Sequence, residues 1–269
     1  MNREEKIMKR IQEHYDYLRY VMNYDVVFIA LQGSQNYELD VYDEEYMSDV
    51  DTKAVILPSF EDFVYNKEPK SRTLVLDNNE HIDVKDIRVM FETYKKQNVN
   101  YIETIFTDFK IINPKYKDLV QPLFDNAEEI AHININQALR CMAGMSMEKL
   151  KALEHPYPTI VDKINKYGYD PKQLHHIFRM NDFIKKYASG KSYKDCLIPD
   201  NKSKLIDIKK GCFSLPEARL WAERIDADTK FIKDKALKEQ DEINQKGIDI
   251  LNKVKYDILK MRFREDIES

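Results

Sequence analysis

The sequence predicts an α+β protein, a small mixed β-sheet with flanking helices followed by an all-helical C-terminal part, and three observations predict it. Short runs rich in β-branched residues occur only in the first part of the chain. From Ile87 onward the apolar residues recur at helical spacing, apart from one extended stretch near Phe106 to Ile112. The composition, 33% charged and 43% hydrophobic with only six glycines in 269 residues, is a globular balance tilted toward helix.

Taken in order, Ile7, Ile11, Tyr15, Leu18 and Met22 recur every three or four residues between charges, which predicts an opening amphipathic helix. Val26 to Leu31 is apolar, too short for a buried helix, and stops at Gly33, which predicts a strand running into a Gly-Ser turn. An acidic, tyrosine-containing loop leads to Ser48 to Leu57, a second strand ended by Pro58. Arg72 to Asp77 and His81 to Lys85 are two more short strands, and Asn78-Asn79 between them suits a tight hairpin because Asn tolerates positive φ.

Val99 to Thr104, Pro114 to Phe124, Ile130 to Leu153 and Pro171 to Tyr187 then read as helices punctuated by Pro156, Pro158, Pro171 and Pro199. Ser214 followed three residues later by Glu217 fits a capping box opening a helix through Ile225. The tail from Asp228 to Phe263 reads as one long Lys-rich amphipathic helix, a surface for packing or for an oligomer contact. The expected division is an α+β part at residues 1–125 and a helical part at 126–269.

A net charge of −4 gives no overall basic field, which argues against sequence-independent gripping of duplex nucleic acid and leaves a short RNA end compatible. The three cysteines, Cys141, Cys196 and Cys212, lack the paired spacing of a zinc site and read as reduced thiols of a cytoplasmic protein. No apolar run approaches the roughly 20 residues that span a bilayer, so no membrane partner is expected.

The informative stretch is Gly33-Ser34, then Asp49-Val50-Asp51, then Asp83. Side chains alternate along a strand, so Asp49 and Asp51 share a face with Cα atoms about 7 Å apart. Such a pair is tolerated when both carboxylates face water or when a divalent cation neutralises them. With Asp83 from another strand the set would suit two Mg²⁺ (or Mn²⁺) ions and in-line phosphoryl displacement. Asp86, which also reads as the N-cap of the following helix, is the alternative third carboxylate. Gly33 lets backbone N–H groups approach phosphate oxygens, and Ser34 adds a hydroxyl donor. Lys53 lies on the carboxylate face as either a phosphate contact or an ion-pair partner of the aspartates. Tyr37, Tyr42 and Tyr46 are more often core-edge residues than base-stacking ones, and no role is assigned to them.

Gly33-Ser34, a short spacer and Asp49-x-Asp51 resemble the signature of the DNA-polymerase-beta-type nucleotidyltransferase superfamily. The spacer's Asn36, Tyr37 and Leu39 are similar to one set within it, the predicted bacterial and phage nucleotidyltransferases associated with RNA repair. Lys96 to Glu103 is similar to that set's lysine, asparagine, glutamate segment, with Asn98-Val99 where Asn-Pro is usual. Gly168-Tyr169-Asp170-Pro171-Lys172 with His176 and Arg179 resembles its helical motif.

The resemblance implies transfer of a nucleoside monophosphate from a nucleoside triphosphate to an acceptor hydroxyl, with Asp49, Asp51 and Asp83 as catalytic metal ligands. It implies an RNA 3′ end as first-choice acceptor, ahead of a protein hydroxyl or a small molecule. Lys172, His176 and Arg179 fall on one helix face at spacings of four and three. The resemblance implies that this stripe meets the nucleotide's phosphates, with His176 either protonating the leaving pyrophosphate or only binding it. A non-catalytic nucleotide- or RNA-binding protein is the rival from another class.

Overall fold

In the computed structural model, which describes residues 2–42 and 48–268, the apolar run becomes strand β1 (Val26–Gln32), and Val26 to Leu31 are wholly buried. An apolar run without alternation is what burial on both faces demands. Helix α1 (Arg3–Asp16) covers one face with Ile7, Ile11 and Tyr15, helped by Leu18 in the wide turn that follows it. On the other face Phe28 packs edge-on against Phe124, ring centroids 5.3 Å apart.

Strand β2 (Asp51–Ile56) pairs antiparallel with β1, and Gln32 sits opposite Asp51. Helix α2 (Phe60–Val64) leads to β3 (Ser71–Val75) and β4 (His81–Asp86), the expected hairpin, with Asn79 at φ 64° in its turn. Because β4 returns beside β2 in parallel, the sheet is mixed; a short β5 (Lys110–Ile112) pairs with β1, giving the order β3-β4-β2-β1-β5 among the described residues. β3 is the exposed edge and carries Arg72, a charge that discourages further strand addition.

Helices follow: α3 (Ile87–Lys95), α4 (Val99–Ile102), α5 (Lys117–Asp125), α6 (Ala127–Ala131), α7 (Ile135–Ala152), α8 (Val161–Tyr167), α9 (Pro171–Ala188), α10 (Tyr193–Leu197), α11 (Lys202–Lys209), α12 (Leu215–Ala236) and α13 (Gln245–Glu268). The fold class is therefore the α+β one predicted. The capping box of Ser214 and Glu217 is present at the start of α12. No helix among the described residues is long and apolar enough to cross a membrane.

Two expected helices are each divided. The stretch read as one helix from Ile130 breaks between α6 and α7, where Asn134 bridges to Ile243. The tail read as one helix from Asp228 breaks after Ala236. Side chains hold that break open: Asn136 accepts from the Lys238 N–H at 2.9 Å and donates to the Lys238 carbonyl at 3.0 Å, while the Asn244 N–H reaches the Ile133 carbonyl at 2.8 Å. Partners supplied from a distant part of the chain thus satisfy backbone groups that a continuous helix would have paired within itself.

The chain forms two compact units, and both are discontinuous in sequence. The first comprises residues 1–36, 49–134 and 243–269, and the second residues 37–48 and 135–242. This differs from a single cut after residue 125, because α13 belongs to the first unit, where it packs on α2, α3, α5 and α6. The second unit is helical, built around α9 with α7, α10, α11 and α12 against it.

Gly247 sets the closeness of α13 to α6. A Cβ there would stand 2.6 Å from the Glu129 carbonyl oxygen and 2.7 Å from Ile133 Cγ1. Alanine gains up to about 1 kcal/mol of helix propensity over glycine. Overpacking against backbone costs about 1–3 kcal/mol, so Gly247→Ala is expected to destabilise the protein by about 1–2 kcal/mol, a fall readable in urea denaturation. An increase in stability would show that α13 can move away from α6 without loss.

Candidate functional site

The first unit gathers the predicted chemical residues at one end of its sheet. Since Gln32 pairs with Asp51, the exit of β1 and the entry of β2 lie side by side. Gly33 turns the chain at φ 105°, a dihedral that L side chains rarely adopt, although space for a Cβ is open there. A single turn from Ser34 to Tyr37 follows. Asn36 ties this turn back by donating to the Leu31 carbonyl at 2.9 Å and accepting from Thr107 Oγ1 at 2.6 Å. Gln35 donates from its side chain to the Asp49 carbonyl at 2.5 Å, joining the Gly-Ser turn to the carboxylate segment. The other amide atom of buried Gln35, Oε1, has no hydrogen-bond partner among the described residues and lies toward Gly33.

Val50 is buried in the core cluster, so alternation leaves Asp49 and Asp51 on the opposite side of the chain. Asp49 is exposed and Asp51 half-buried. Asp51 Oδ1 accepts from the His81 N–H at 2.9 Å and lies 3.2 Å from His81 Nδ1. This segment is braced from beneath by a buried group that the sequence reading missed. His14 Nδ1 is 3.0 Å from Thr52 Oγ1, and its Nε2 is 3.0 Å from Glu80 Oε2. Glu80 also takes Arg10 Nε at 3.0 Å and the Val50 N–H at 3.4 Å. Burial pushes the Glu80 carboxyl up, but the bonds from His14 and Arg10 outweigh it and bring it down to about 2.

Asp83 stands across the parallel register from Lys53 and shares that sheet face with Asp51. Of the two alternatives for the third carboxylate, Asp86 is on the other face. It caps α3 by accepting the Arg88 N–H at 2.9 Å, and its two oxygens take the Arg88 guanidinium at 2.9 and 2.7 Å. Asp83, however, is engaged. Lys53 Nζ lies 3.1 Å from its Oδ2, Tyr101 donates its hydroxyl to the same oxygen at 2.9 Å, and Lys85 Nζ is 3.6 Å from Oδ1. Lys53 also sits 4.1 Å from the centre of the Tyr101 ring. Burial lowers the Lys53 pKa, and the charge of Asp83 opposes the change; burial raises that of Tyr101, and Asp83 adds to the rise.

Among the described residues, no three His, Cys, Asp or Glu side chains come together so as to hold a metal ion. Lys53, Lys85 and Tyr101 engage Asp83, and His81 engages Asp51. Lys53 accordingly resolves as an ion-pair partner. Tyr101 and His81 had no signal in the sequence beyond lying near the motif, since the register that brings them in is a property of the sheet.

In the second unit the predicted stripe on α9 separates into different environments. Lys172 is exposed. His176 is pushed well below the ordinary histidine range, first by burial and then by the neighbouring charges of His175, Arg179 and Lys172. His175, whose Nδ1–H donates to the Leu205 carbonyl at 2.9 Å, is lowered to about 3 by burial. Arg179 is buried with its guanidinium 4.2 Å from the centre of the Tyr37 ring. Tyr37 is thereby a packing residue, Tyr42 is exposed, and Tyr46 lies outside the described residues.

Fold and site together define an α+β protein whose mixed sheet ends in a glycine turn set beside a carboxylate pair. No known protein-family model matches the chain, and no curated protein does. Among solved structures it is similar to a nucleotidyltransferase-like protein from Exiguobacterium sibiricum 255-15, at 9% identity, over 85% of this chain and 75% of that one, with a TM-score of 0.28. A likeness of that size carries no argument about activity.

Proposed function

We propose that the chain is a nucleotidyltransferase, which moves a nucleoside monophosphate from a nucleoside triphosphate to an acceptor hydroxyl. The single observation that supports this most is the pairing of Gln32 with Asp51, which sets the Gly33-Ser34 turn against Asp49 and Asp51. In this reading the backbone at Gly33 and the Ser34 hydroxyl donate to the triphosphate. When bound with the nucleotide, Mg²⁺ or Mn²⁺ would neutralise triphosphate charge, and Asp49 and Asp51, the more exposed carboxylates, are the side chains that would hold it. The acceptor oxygen bonds to the α-phosphorus as the bond to the bridging oxygen breaks; pyrophosphate leaves, and the hydroxyl proton passes to the Asp51 carboxylate. Positioning and fixed charge supply the rate. An RNA 3′ end is the first-choice acceptor, and a protein or small-molecule hydroxyl the alternative. Lys172 and Arg179 belong to the second unit, where Arg179 packs on the ring of Tyr37.

A second reading, binding of nucleotide or RNA without turnover, is favoured by one observation, the capture of Asp83 by Lys53 and Tyr101. One experiment separates the two. The protein is incubated with each α-labelled nucleoside triphosphate, Mg²⁺, and either total RNA or total protein. Transfer predicts label in one acceptor fraction and an equal amount of pyrophosphate, whereas binding of nucleotide with no pyrophosphate from any combination would refute it.

A further inference from the structure

The ladder between β1 and β2 ends at the pair Gln32 and Asp51, and there the two strands part, since residues 37–48 belong to the second unit. A side chain reaches across beyond that last pair. Gln35 Nε2 donates to the carbonyl of Asp49, two residues before Asp51, at 2.5 Å. The carbonyl partner decides which amide atom is which, because an oxygen in that place would face another oxygen. The main chain that carries this amide is itself fixed from two sides. Arg3 donates to the Gln35 carbonyl at 3.0 Å, and the N–H of the next residue, Asn36, donates to the Gly33 carbonyl at 3.0 Å. The amide thus extends from a braced turn and bears on the backbone of one member of the carboxylate pair.

As a stabilising element this amide is a poor one. Gln35 is 2% exposed, yet its Oε1 has no hydrogen-bond partner among the described residues. A buried amide satisfied at one end loses at the other much of what it gains. A methionine of similar length would fill the same space with no strongly polar atom to satisfy. Asp49 is exposed, so water can replace the bond at its carbonyl. What the bond does supply is position. With Val50 buried on the other side of the chain, it fixes the Asp49 main chain relative to Gly33, and with it the point from which the carboxylate extends.

We propose that Gln35 is a positioning residue for nucleotidyl transfer: through its bond to the Asp49 carbonyl it keeps the Asp49 carboxylate in register with the Gly33-Ser34 turn. One nucleotide can then meet the turn with its phosphates and the carboxylate through its cation. The inference rests on the transfer reading and adds to it the group that holds the two halves of the site together. A partner standing one bond behind a metal-holding side chain is typically worth about 10- to 100-fold in metal affinity or rate.

The test compares the full chain with Gln35→Met, Gln35→Glu, Asp49→Asn and the double variant of Gln35→Met with Asp49→Asn. Three quantities are read for each: the thermal midpoint, the affinity for the best bound of the four ribonucleoside triphosphates with and without Mn²⁺, and pyrophosphate release. Gln35→Met should melt within a few degrees of the parent and bind the metal-free nucleotide as the parent does. Its affinity for the Mn²⁺-nucleotide and its rate should fall by about 10- to 100-fold. Gln35→Glu, which sets an oxygen against the Asp49 carbonyl, should fall at least as far. In the Asp49→Asn background Gln35→Met should cost little more, because the two residues act as a unit. Parental Mn²⁺-nucleotide affinity in either folded variant would overturn the proposal, and so would losses that simply add in the double variant or that only follow a lowered midpoint. A parent whose nucleotide affinity ignores Mn²⁺ would sink the transfer reading and this inference with it. That outcome is distinct from a parent that responds to the metal beside a Gln35→Met variant that responds equally, which sinks the inference alone.

Discussion

Asp51→Asn is expected to lower pyrophosphate release by at least about 10²- to 10³-fold at saturating nucleotide, the scale on which loss of one fixed electrostatic partner is felt in an active site. The substitution is chosen because the structure separates the two jobs of this side chain. Its Oδ1 accepts the His81 N–H at 2.9 Å, and asparagine retains an oxygen in that place. What it removes is the negative charge beside the Gly33-Ser34 turn. The thermal midpoint should therefore stay within a few degrees of the parent, and rate and midpoint measured on one preparation check both halves. Parental turnover in the variant would remove Asp51 from the chemistry. Asp49→Asn, at an exposed position, should cost rate with still less effect on the fold.

How far the sequence could have led depends on the range of the interactions involved. Val26 to Leu31, Gly33, Asn79 and the Ser214-Glu217 box were legible because each is specified within a few residues: an unbroken apolar run, a φ only glycine accepts easily, a turn residue, a reciprocal cap. The shared side of Asp49 and Asp51 was also legible, from alternation. The capture of Asp83 was not, since it depends on the parallel pairing that sets Lys53 across from it and on Tyr101 arriving from α4. The break between α12 and α13 was hidden for the same reason. The side chain that takes up the Lys238 backbone is Asn136, 102 residues away in sequence.

Glu80 carries the largest expected effect on stability. It is 7% exposed, and its oxygens serve His14, Arg10 and the Val50 N–H together. A carboxyl whose folded pKa is about 2, against an ordinary 4.5, stabilises the protein fully above pH 4.5 and loses that contribution as the pH falls toward 2. Allowing for solvent screening, the contribution is on the order of 2 kcal/mol at neutral pH. Glu80→Gln keeps an acceptor oxygen and deletes the charge, so it should be less stable than the parent by about that amount at pH 7. The gap between the two should close between about pH 5 and pH 2, as the parent's own carboxylate takes up its proton. Urea denaturation at pH 7, 5, 4 and 3 reads the difference, and a gap independent of pH would mean that Glu80 acts by shape and not by charge. Because Val50 and Thr52, the residues it braces directly and through His14, flank Asp51, the variant should lose stability first and activity only as a consequence. Asp51→Asn should show the reverse order, and the opposed pair of signatures separates the group that does the chemistry from the group that holds it in place.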